Sequence, residues 1–488
     1  MRIYFLALIL FFALNLFAQQ PPNIIWLMAE DISNDLACYG TKGVQTPNLD
    51  RLAEQGNRYL NCYSTNPICS PNRSAMMVGV HQNLTNSQHH RSNRNKPLAE
   101  PYKPITYWLR EAGYTCILGH EKVMDKGRKI DCNFKTKAIG PYDGITNFGL
   151  FDKVDRFEVA DQPFFAQIQL KVTHRGDWWE EISRQSADRV KPEEVELPPF
   201  MADHPVIKAD WARYLDQIEY MDAEVGMIMQ ELEEKGMADN TIIIFIGDNG
   251  RCNIRGKGYL HDPGLRVPLI VHWPGKLKVG QVKDDIISVT DISASILQIA
   301  DAELPDYLTG IPFIETSSNR QAVYSARDLW DEVMEKSRSI TTKRYKYIRN
   351  DMPWVPFDAH QGYLEFYRPA VHIMRQLKVN KKLNPGEAFF FKAQKPREEL
   401  YDLINDPYEL NNLADDPPYQ AALVKFRADV SKWEDDLPNL SMDDFDLVVP
   451  AAVELLDWVR YEKPALYLEM LEGKEIGFQK LNKAYRKR

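Results

Sequence analysis

The sequence predicts an α/β fold in which a mostly parallel central sheet organises a large first domain. Short, almost continuously apolar runs at 23–29, 164–170 and 241–246 have the composition of strands buried on both faces. Helical patterns separate these runs, including a long amphipathic stretch over 208–235. Strands that alternate with helices along the chain are typical of a parallel sheet covered by helices.

The other elements of this domain carry their own signals. Thr46 followed by Pro47 predicts a helix start, with Thr46 as N-cap and proline at the first helical position, and Gly56 marks the end of that helix. The remaining predicted helices are 105–112 and 291–300, and the remaining predicted strands are 114–118 and 269–273. We therefore expect the large domain to span 19–324.

The character of the sequence changes near Tyr324. The strand-like segments 337–341 and 345–349 lie close enough together to form a hairpin, and helical patterns return from about residue 419. This pattern predicts a smaller C-terminal α+β subdomain with an antiparallel sheet, spanning 325–488.

The N-terminus has the pattern of a signal peptide. Arg2 precedes an apolar run over 3–17, and the small residue Ala18 follows before a predicted cleavage. We expect residues 1–18 to be removed and the mature protein to be periplasmic or secreted. No later segment is apolar enough to predict a membrane span in the mature chain.

Composition excludes several classes of protein. With 488 residues, 44% apolar and 26% charged, the chain is neither a disordered chain, a fibre nor a disulfide miniprotein. The formal net charge of −9 argues against nucleic acid as a partner, because that role needs a basic face. The six cysteines form no CxxC pair, which argues against a structural zinc site, and their pairing stays open.

Polar pairs follow two of the buried strands. Glu30-Asp31 follows the first strand, and Asp248-Asn249 follows the strand over 241–246. Carboxylate and amide oxygens suit a hard cation such as Ca²⁺ or Mg²⁺. Either pair alone would more simply be a turn or helix cap, but the two together favour a metal site.

A cysteine stands where a helix is predicted to begin. Pro71 can start a helix two residues after Cys69, and Arg73, one turn further on, can point back toward the cysteine. A helix N-terminus favours anions, so this pattern fits the nucleophile of an enzyme that hydrolyses anionic esters. From spacing alone, a buried and inert cysteine is the simpler interpretation.

The run CSPNRSAMMVG at 69–79 resembles the signature of the type I sulfatases, which has the form C-x-P-x-R. Other segments resemble motifs of that family in the same order along the chain: 23–31, TPNLDRLA at 46–53, IGDNG at 246–250, RGK at 255–257, LRVPLIV at 265–271 and ELYDL at 399–403, with DP at 406–407 and NLA at 412–414. An ordered set of this kind is far more specific than any single motif.

The resemblance implies an alkaline-phosphatase-like fold and a defined chemistry. A formylglycine-generating maturase would oxidise Cys69 to formylglycine (3-oxoalanine), whose hydrate supplies a hydroxyl nucleophile. One Ca²⁺ would be held by Glu30, Asp31, Cys69, Asp248 and Asn249. Arg73 would hold the hydrate, and Lys257 would bind the sulfate, with His174 as proton donor to the leaving alkoxide. The covalent sulfate would then leave by elimination.

The sequence departs from the family pattern at three points. Glu30 stands where the family usually has Asp, and Asn72 stands where Ser or Thr is usual. The Lys-x-His pair of many sulfatases is absent, and the segment 126–134 resembles a GKTDxNF variant of bacterial polysaccharide sulfatases. Lys129 is therefore the favoured sulfate lysine and Lys122 the second candidate. The group that assists elimination stays open, with His120 as one candidate.

The residues that follow the motifs suggest a sulfated carbohydrate as substrate. The predicted substrate-binding residues are His89, His90, Arg91, Arg175 and Arg327. Cationic groups beside Trp178 and Trp179 suit a sugar that carries sulfate or carboxylate, although surface charge and core aromatics would give the same pattern. The run 325–350 resembles bacterial enzymes near the heparan N-sulfatases, so we expect a sulfated polysaccharide or its oligosaccharides.

Two alternative functions stay open at this point. One is a phosphoester or phosphonate ester hydrolase of the same superfamily, although the downstream loop offers only His261-Asp262 toward the second metal of a two-zinc phosphatase. The other is an inactive relative that binds sulfated glycans, which predicts a lost nucleophile or a broken metal set.

Overall fold

A computed structural model describes residues 20–137, 149–186, 189–447 and 452–487 of the chain. The predicted signal peptide, 1–18, lies outside the described residues. Within the described residues, no helix is both long and apolar enough to cross a membrane.

The large sheet has eight strands in the order β4-β3-β5-β1-β6-β7-β2-β8. Its strands are β1 (Asn23–Ala29), β2 (Asn57–Tyr63), β3 (Thr115–Leu118), β4 (Lys153–Val154), β5 (Phe164–Leu170), β6 (Thr241–Gly247), β7 (Arg266–His272) and β8 (Gln281–Ser288). All neighbouring strands pair in parallel except at β7, which is antiparallel to both β6 and β2.

The central strand β1 explains why the sheet is buried on both faces. Ile25 and Leu27 pack into one apolar cluster, whereas Ile24 and Trp26 pack into another, because successive strand side chains point to opposite faces. In register, Ala29 lies beside the last residues of both β5 and β6. The polar residues that follow these three strands therefore emerge at one edge of the sheet.

Helices cover both faces of the large sheet. They are α1 (Pro47–Gln55), α2 (Cys69–Val78), α3 (Ile105–Glu111), α4 (Trp179–Gln185), α5 (Pro205–Glu234), α6 (Asp262–Leu265) and α7 (Val289–Ile299). The long α5 packs against α1 and α4, and α2 packs against α7 on the other face.

A second sheet of four antiparallel strands has the order β12-β11-β10-β9. Its strands are β9 (Val323–Arg327), β10 (Ser337–Thr341), β11 (Tyr345–Asn350) and β12 (Glu398–Asp402). The remaining helices are α8 (Gly362–Tyr367), α9 (Pro369–Val379), α10 (Pro385–Ala388), α11 (Gln420–Asp435), α12 (Ala452–Glu462), α13 (Pro464–Leu471) and α14 (Phe478–Tyr485). Helix α11 packs on β10 of the small sheet, whereas α9 packs against α5. The predicted α/β class, with one mostly parallel and one antiparallel sheet, is confirmed.

The sequence patterns were less informative at the rim of the large sheet. Strand β8 alternates exposed and half-buried residues over its first half, so it has no continuous apolar run. Strand β7 begins at Arg266, three residues before the predicted start. The boundary predicted between residues 324 and 325 falls inside β9 and stays a prediction.

Candidate active site

The ends of β1 and β6 bring together the two residue pairs that were predicted to bind a metal ion, Glu30-Asp31 and Asp248-Asn249. The backbone N–H of Asp31 donates to Asp248 Oδ1 at 3.0 Å, and Asn249 Nδ2 donates to Asp31 Oδ1 at 2.9 Å. All of these side chains are fully buried, as is that of Glu30. Asp31 has a φ of 49°, a left-handed conformation that costs free energy and is concentrated at functional sites.

Cys69 is the first residue of α2, as the position of Pro71 predicted. Its Sγ donates to Asp31 Oδ1 at 3.7 Å. Burial raises the pKa of the thiol well above its ordinary value, although Lys257 acts in the opposite direction. The side chain is therefore an uncharged thiol at neutral pH, and a thiol is a weak nucleophile.

Two residues near the start of α2, Asn72 and Arg73, form hydrogen bonds with Asp248. Arg73 Nε donates to Asp248 Oδ2 at 3.0 Å, and its Nη2 donates to Gln169 Oε1 on β5. Asn72 Nδ2 donates to the backbone carbonyl of Asp248, and its Oδ1 accepts from the backbone N–H of Thr65 at 2.9 Å. Asn72 thus has a bridging role between α2, β6 and the loop before α2.

The donor set fits a hard cation. Glu30 Oε1 and Asn249 Oδ1 are buried acceptors with no hydrogen-bond partner among the described residues. Buried polar oxygens without partners are costly, and a cation would satisfy them. Two sets of ligand atoms each lie within 4.8 Å of one another, and they come from Glu30, Cys69 and His174 and from Asp31, Cys69 and Asp248.

Two lysines contact the carboxylates of the first metal pair. Lys257 Nζ lies 2.7 and 2.9 Å from the two oxygens of Asp31. Burial raises the pKa of Asp31, but Lys257, His174 and Asn249 together hold that pKa below its usual range. Lys129 Nζ lies 2.5 Å from Glu30 Oε2. Burial lowers the pKa of Lys129, but the negative charges around it, Glu30 first among them, leave the pKa above its ordinary value. Both lysines are charged at neutral pH.

Each of the three strand-end carboxylates pairs with one cation. The pairs are Glu30 with Lys129, Asp31 with Lys257, and Asp248 with Arg73. A divalent cation added to these three balanced pairs would leave an excess of positive charge. Such an excess attracts an anionic ester to this edge of the sheet.

His174 faces the same site from the loop after β5. Its Nε2 lies 3.8 Å from Glu30 Oε2, and its Nδ1 lies 3.0 Å from the carbonyl oxygen of Arg175. A carbonyl only accepts hydrogen bonds, so Nδ1 carries a hydrogen and Nε2 is directed toward the site. Burial lowers the pKa of His174 to about 3, so its ring is neutral in the ligand-free protein.

Lys122, the second candidate for the sulfate lysine, and His120, a candidate for assisting elimination, both lie away from the strand-end carboxylates. Lys122 Nζ pairs with Glu231 Oε2 at 2.7 Å, and His120 Nε2 lies 3.3 Å from the other oxygen of the same carboxylate. His120 also packs on the ring of Phe157, which is part of the large core. The geometry therefore places Lys129, and neither Lys122 nor His120, beside the strand-end carboxylates.

Of the predicted substrate-binding residues, His90 and Arg91 lie beside two aspartates, Asp331 and Asp131. His90 Nδ1 lies 2.7 Å from Asp331 Oδ1, and Arg91 Nε lies 3.8 Å from Asp131 Oδ1. Asp131 is also 3.6 Å from Lys129 Nζ. The side chain of Arg91 is 42% exposed, so it borders both the site and solvent.

The side chains of the other three are engaged in structural contacts. Arg175 is buried with Nη2 on Asp210, and Arg327 is buried with Nη1 on Glu335. His89 Nδ1 accepts from the backbone N–H of Leu329 at 3.2 Å. Their predicted substrate contacts stay predictions, and a substrate that bound them would have to break these bonds.

Asp131 and Tyr363 lie at the site although no sequence motif predicted a role for either residue. Asp131 stands two residues after Lys129, where a histidine is usual in the family, and that position was the signal that could have identified it. The ring of Tyr363 on α8 lies 6.1 Å from the His174 ring and 5.8 Å from Lys257 Nζ. No pattern around Tyr363 connects it to residues so distant along the chain.

The candidate second-metal residues of a two-zinc phosphatase are paired with other groups. His261 Nε2 lies 3.0 Å from Glu399 Oε2, and Lys346 donates to Asp262. Each of these partners belongs to the small sheet, so the two residues connect the sheets. This arrangement favours a single-metal site over the two-zinc alternative.

Comparison with protein families supports the interpretation from geometry. The model of the family described as sulfatase matches residues 22–302, more than half of the chain. A second model, described as the C-terminal region of N-sulphoglucosamine sulphohydrolase, matches residues 250–361.

Two curated relatives match along most of the chain. An ulvan-active sulfatase of Formosa agariphila is 30% identical over 458 residues, which cover 85% of this chain and 75% of the relative. The human N-sulphoglucosamine sulphohydrolase is 26% identical over 475 residues, covering 87% and 92% of the two chains.

Solved structures share the fold. A protein in complex with its substrate D-glucosamine-2-N,6-O-disulfate superposes with a TM-score of 0.56 at 16% identity, over 85% of this chain and 98% of that one. The phosphonate monoester hydrolase of Agrobacterium radiobacter gives 0.58 at 18% identity, over 85% and 95%. These two structures support the fold alone. With the matches in sequence, the chain belongs to the sulfatase family and is a sulfuric ester hydrolase.

Proposed function

We propose that this protein is an exported carbohydrate sulfatase that hydrolyses sulfate esters of a sulfated polysaccharide or its oligosaccharides. The observation that carries the proposal is Cys69 at the start of α2, beside three strand-end carboxylates and two lysines. The names of the relatives support a sulfated carbohydrate as the substrate class. The predicted signal peptide supports export to the periplasm or beyond.

The proposal includes one Ca²⁺ and a converted Cys69. The unpartnered oxygens of Glu30 and Asn249 support the cation, which Asp31, Asp248 and position 69 would also bind. When bound, calcium would reduce the repulsion between the nucleophile and the anionic ester and stabilise the negative charge that develops. Oxidation of Cys69 to formylglycine by a maturase would provide the hydroxyl that the buried thiol lacks.

The surrounding side chains then have distinct tasks. Lys129 and Lys257 hold their charge in the site, so they can bind sulfate oxygens and orient the ester. Arg73 stays fixed by Asp248 and Gln169, and it stabilises the group at position 69. The charge of a bound sulfate raises the pKa of His174, which can then donate a proton from Nε2 to the leaving oxygen.

The test compares wild-type protein with Cys69→Ala, both produced together with a formylglycine-generating enzyme. Mass spectrometry should show conversion of Cys69 in the wild type. The Cys69→Ala variant should lose turnover of sulfated oligosaccharides by about 10³-fold or more, because it lacks the nucleophile. The matched control is Cys62→Ala, which removes a buried thiol from β2 and should retain turnover.

Three outcomes would contradict the proposal. A converted protein that cleaves phosphonate esters but no sulfate ester would support the alternative hydrolase. A protein that binds sulfated glycans equally well as wild type and as Cys69→Ala, without turnover in either, would support the glycan-binding alternative. Retention of a free thiol in the presence of an active maturase would remove the nucleophile.

A further inference from the structure

We propose that Tyr363 is a positioning residue for His174, held in place by the C-terminal helices. This inference rests on the proposed role of His174 as proton donor. Tyr363 lies on α8 (Gly362–Tyr367), just beyond residue 361, where both matched family models have ended. The contacts that connect it to His174 join residues almost 190 positions apart along the chain.

The carbonyl oxygen of Arg175 connects Tyr363 to His174. It accepts from His174 Nδ1 at 3.0 Å and from the hydroxyl of Tyr363 at 3.2 Å. Burial raises the pKa of Tyr363 well above its ordinary value, so the hydroxyl keeps its hydrogen and can donate. Tyr363 therefore fixes the acceptor that in turn fixes the tautomer and orientation of the His174 ring.

Further bonds fasten the same loop to the C-terminal segment. Glu475 Oε1 lies 3.3 Å from Arg175 Nη2. Asp177 Oδ2 accepts from the backbone N–H groups of Gln479 and Lys480 at the start of α14, at 3.0 and 3.2 Å. The run 174–177 is thus held from two sides, by α8 through Tyr363 and by the segment before and within α14.

Apolar packing keeps Tyr363 itself in place. Phe478, the first residue of α14, lies 6.3 Å from the Tyr363 ring and 5.4 Å from the Tyr367 ring, measured between centroids. These residues belong to a cluster formed by α8 and the three C-terminal helices, separate from the two clusters of the large sheet. The C-terminal segment therefore contributes to the site without providing a residue that reacts.

The consequence for the reaction is specific. A donor is needed most when the leaving oxygen is a poor leaving group, such as the alkoxide of a sugar. A phenolate with electron-withdrawing groups leaves without a proton. Loss of the Tyr363 hydroxyl should therefore slow sugar and alkyl sulfates and should leave an activated aryl sulfate almost unaffected.

The main experiment uses Tyr363→Phe in the full-length protein, produced together with a formylglycine-generating enzyme. For a sulfated oligosaccharide or alkyl sulfate we expect kcat to fall about fivefold, the equivalent of one hydrogen bond, with KM nearly unchanged. For 4-nitrophenyl sulfate we expect kcat to stay within about twofold. The matched comparison is Tyr367→Phe, which removes another hydroxyl that contacts the same loop, 2.9 Å from Asp177 Oδ1, and keeps the contact of Tyr363 with the Arg175 carbonyl. It separates loss of the carbonyl contact from loss of any contact with the loop.

A second measurement does not depend on activity. Hydrogen exchange of the peptide over 171–179 should be faster in Tyr363→Phe than in wild type, and also faster in Glu475→Gln, which weakens the tie to Arg175 by a different group. The exposed Tyr461 provides a control, since Tyr461→Phe should change neither exchange nor kinetics. Melting temperatures of all variants identify any that fail to fold. If Tyr363→Phe is among them, Glu475→Gln takes its place in the exchange and kinetic measurements.

Several results would overturn the inference. Equal slowing of both classes of ester would indicate general distortion of the site, and a rise in KM alone would indicate a substrate contact. Unchanged exchange over 171–179 would show that Tyr363 does not hold the loop. If wild-type protein cleaves alkyl sulfates but no sulfated carbohydrate, the proposed substrate fails while the positioning role is still tested on the alkyl ester.

Discussion

Two walls of the active site are built in different ways. The strand-end wall consists of Glu30-Asp31, Asp248-Asn249 and the first turn of α2. The loop wall consists of 90–94, 129–131, 174–177 and Tyr363. The register of β1 with β6 positions the proposed metal ligands of the first wall, whereas contacts between segments far apart in the chain hold the second. The sheet thus fixes position 69 and the proposed metal ligands, whereas the loops place His174, Lys129 and the residues that border solvent.

The strongest test of the strand-end wall is Asp248→Asn. Asp248 binds Asp31 N–H and Arg73, and it belongs to one of the two candidate ligand sets. We expect turnover to fall by about 10²-fold or more, because the variant weakens calcium binding and charge stabilisation together. In wild-type protein, calcium at a hundredfold excess over its Kd should raise the free energy of unfolding by about 2.7 kcal/mol.

Thermal melts with calcium and with a chelator measure this effect. The control is Asp301→Asn, which changes an exposed aspartate distant from the strand ends and should keep the calcium response. A calcium-dependent rise in melting temperature that persists in Asp248→Asn would place the cation outside this wall.

The second test compares two lysines of the same sequence neighbourhood. Lys129→Ala should lower kcat/KM by about 10²-fold, because it removes a partly buried positive charge beside Glu30. Lys122→Ala breaks only a half-exposed pair with Glu231 and should cost less than about threefold. Steady-state kinetics on one sulfated oligosaccharide measures both, and a larger loss in Lys122→Ala would contradict the geometry.

The smallest expected effect concerns the outer part of the loop wall. Arg91→Ala should raise KM by about tenfold for a substrate with a second anionic group and should leave kcat nearly unchanged. The half-exposed side chain borders solvent, so it can meet a group remote from the reacting ester. KM values for mono- and disulfated oligosaccharides measure this, and an equal rise for both would argue against recognition of a second anion.

The strand-end wall could be predicted from sequence because its parts are local. Buried strands give apolar runs, and the polar residues after them stand out at once, so Asp31 and Asp248 were identified by position alone. The start of α2 at Cys69 followed from Pro71. Register then brings these segments together without further information.

The loop wall could not be predicted to the same depth. The resemblance of 126–134 favoured Lys129 over Lys122, and the folded path of the chain then shows that Lys129 lies beside Glu30. Arg175 was expected at the substrate because it follows His174, but its side chain lies on Asp210, which is 35 positions away on α5. Tyr363 acts through a backbone carbonyl, and no side-chain pattern reports such a contact.

The complete burial of α2 has a consequence for biosynthesis. All residues from Cys69 to Val78 are buried, so a second enzyme has no access to the Cys69 side chain in the folded protein. A maturase would therefore have to bind this segment as an extended chain, before the helix forms and packs. Conversion would then compete with folding in time, and a slowly folding variant should be converted more completely than a fast one. The fraction of converted protein would thus increase with the time that residues 69–78 remain unfolded after synthesis.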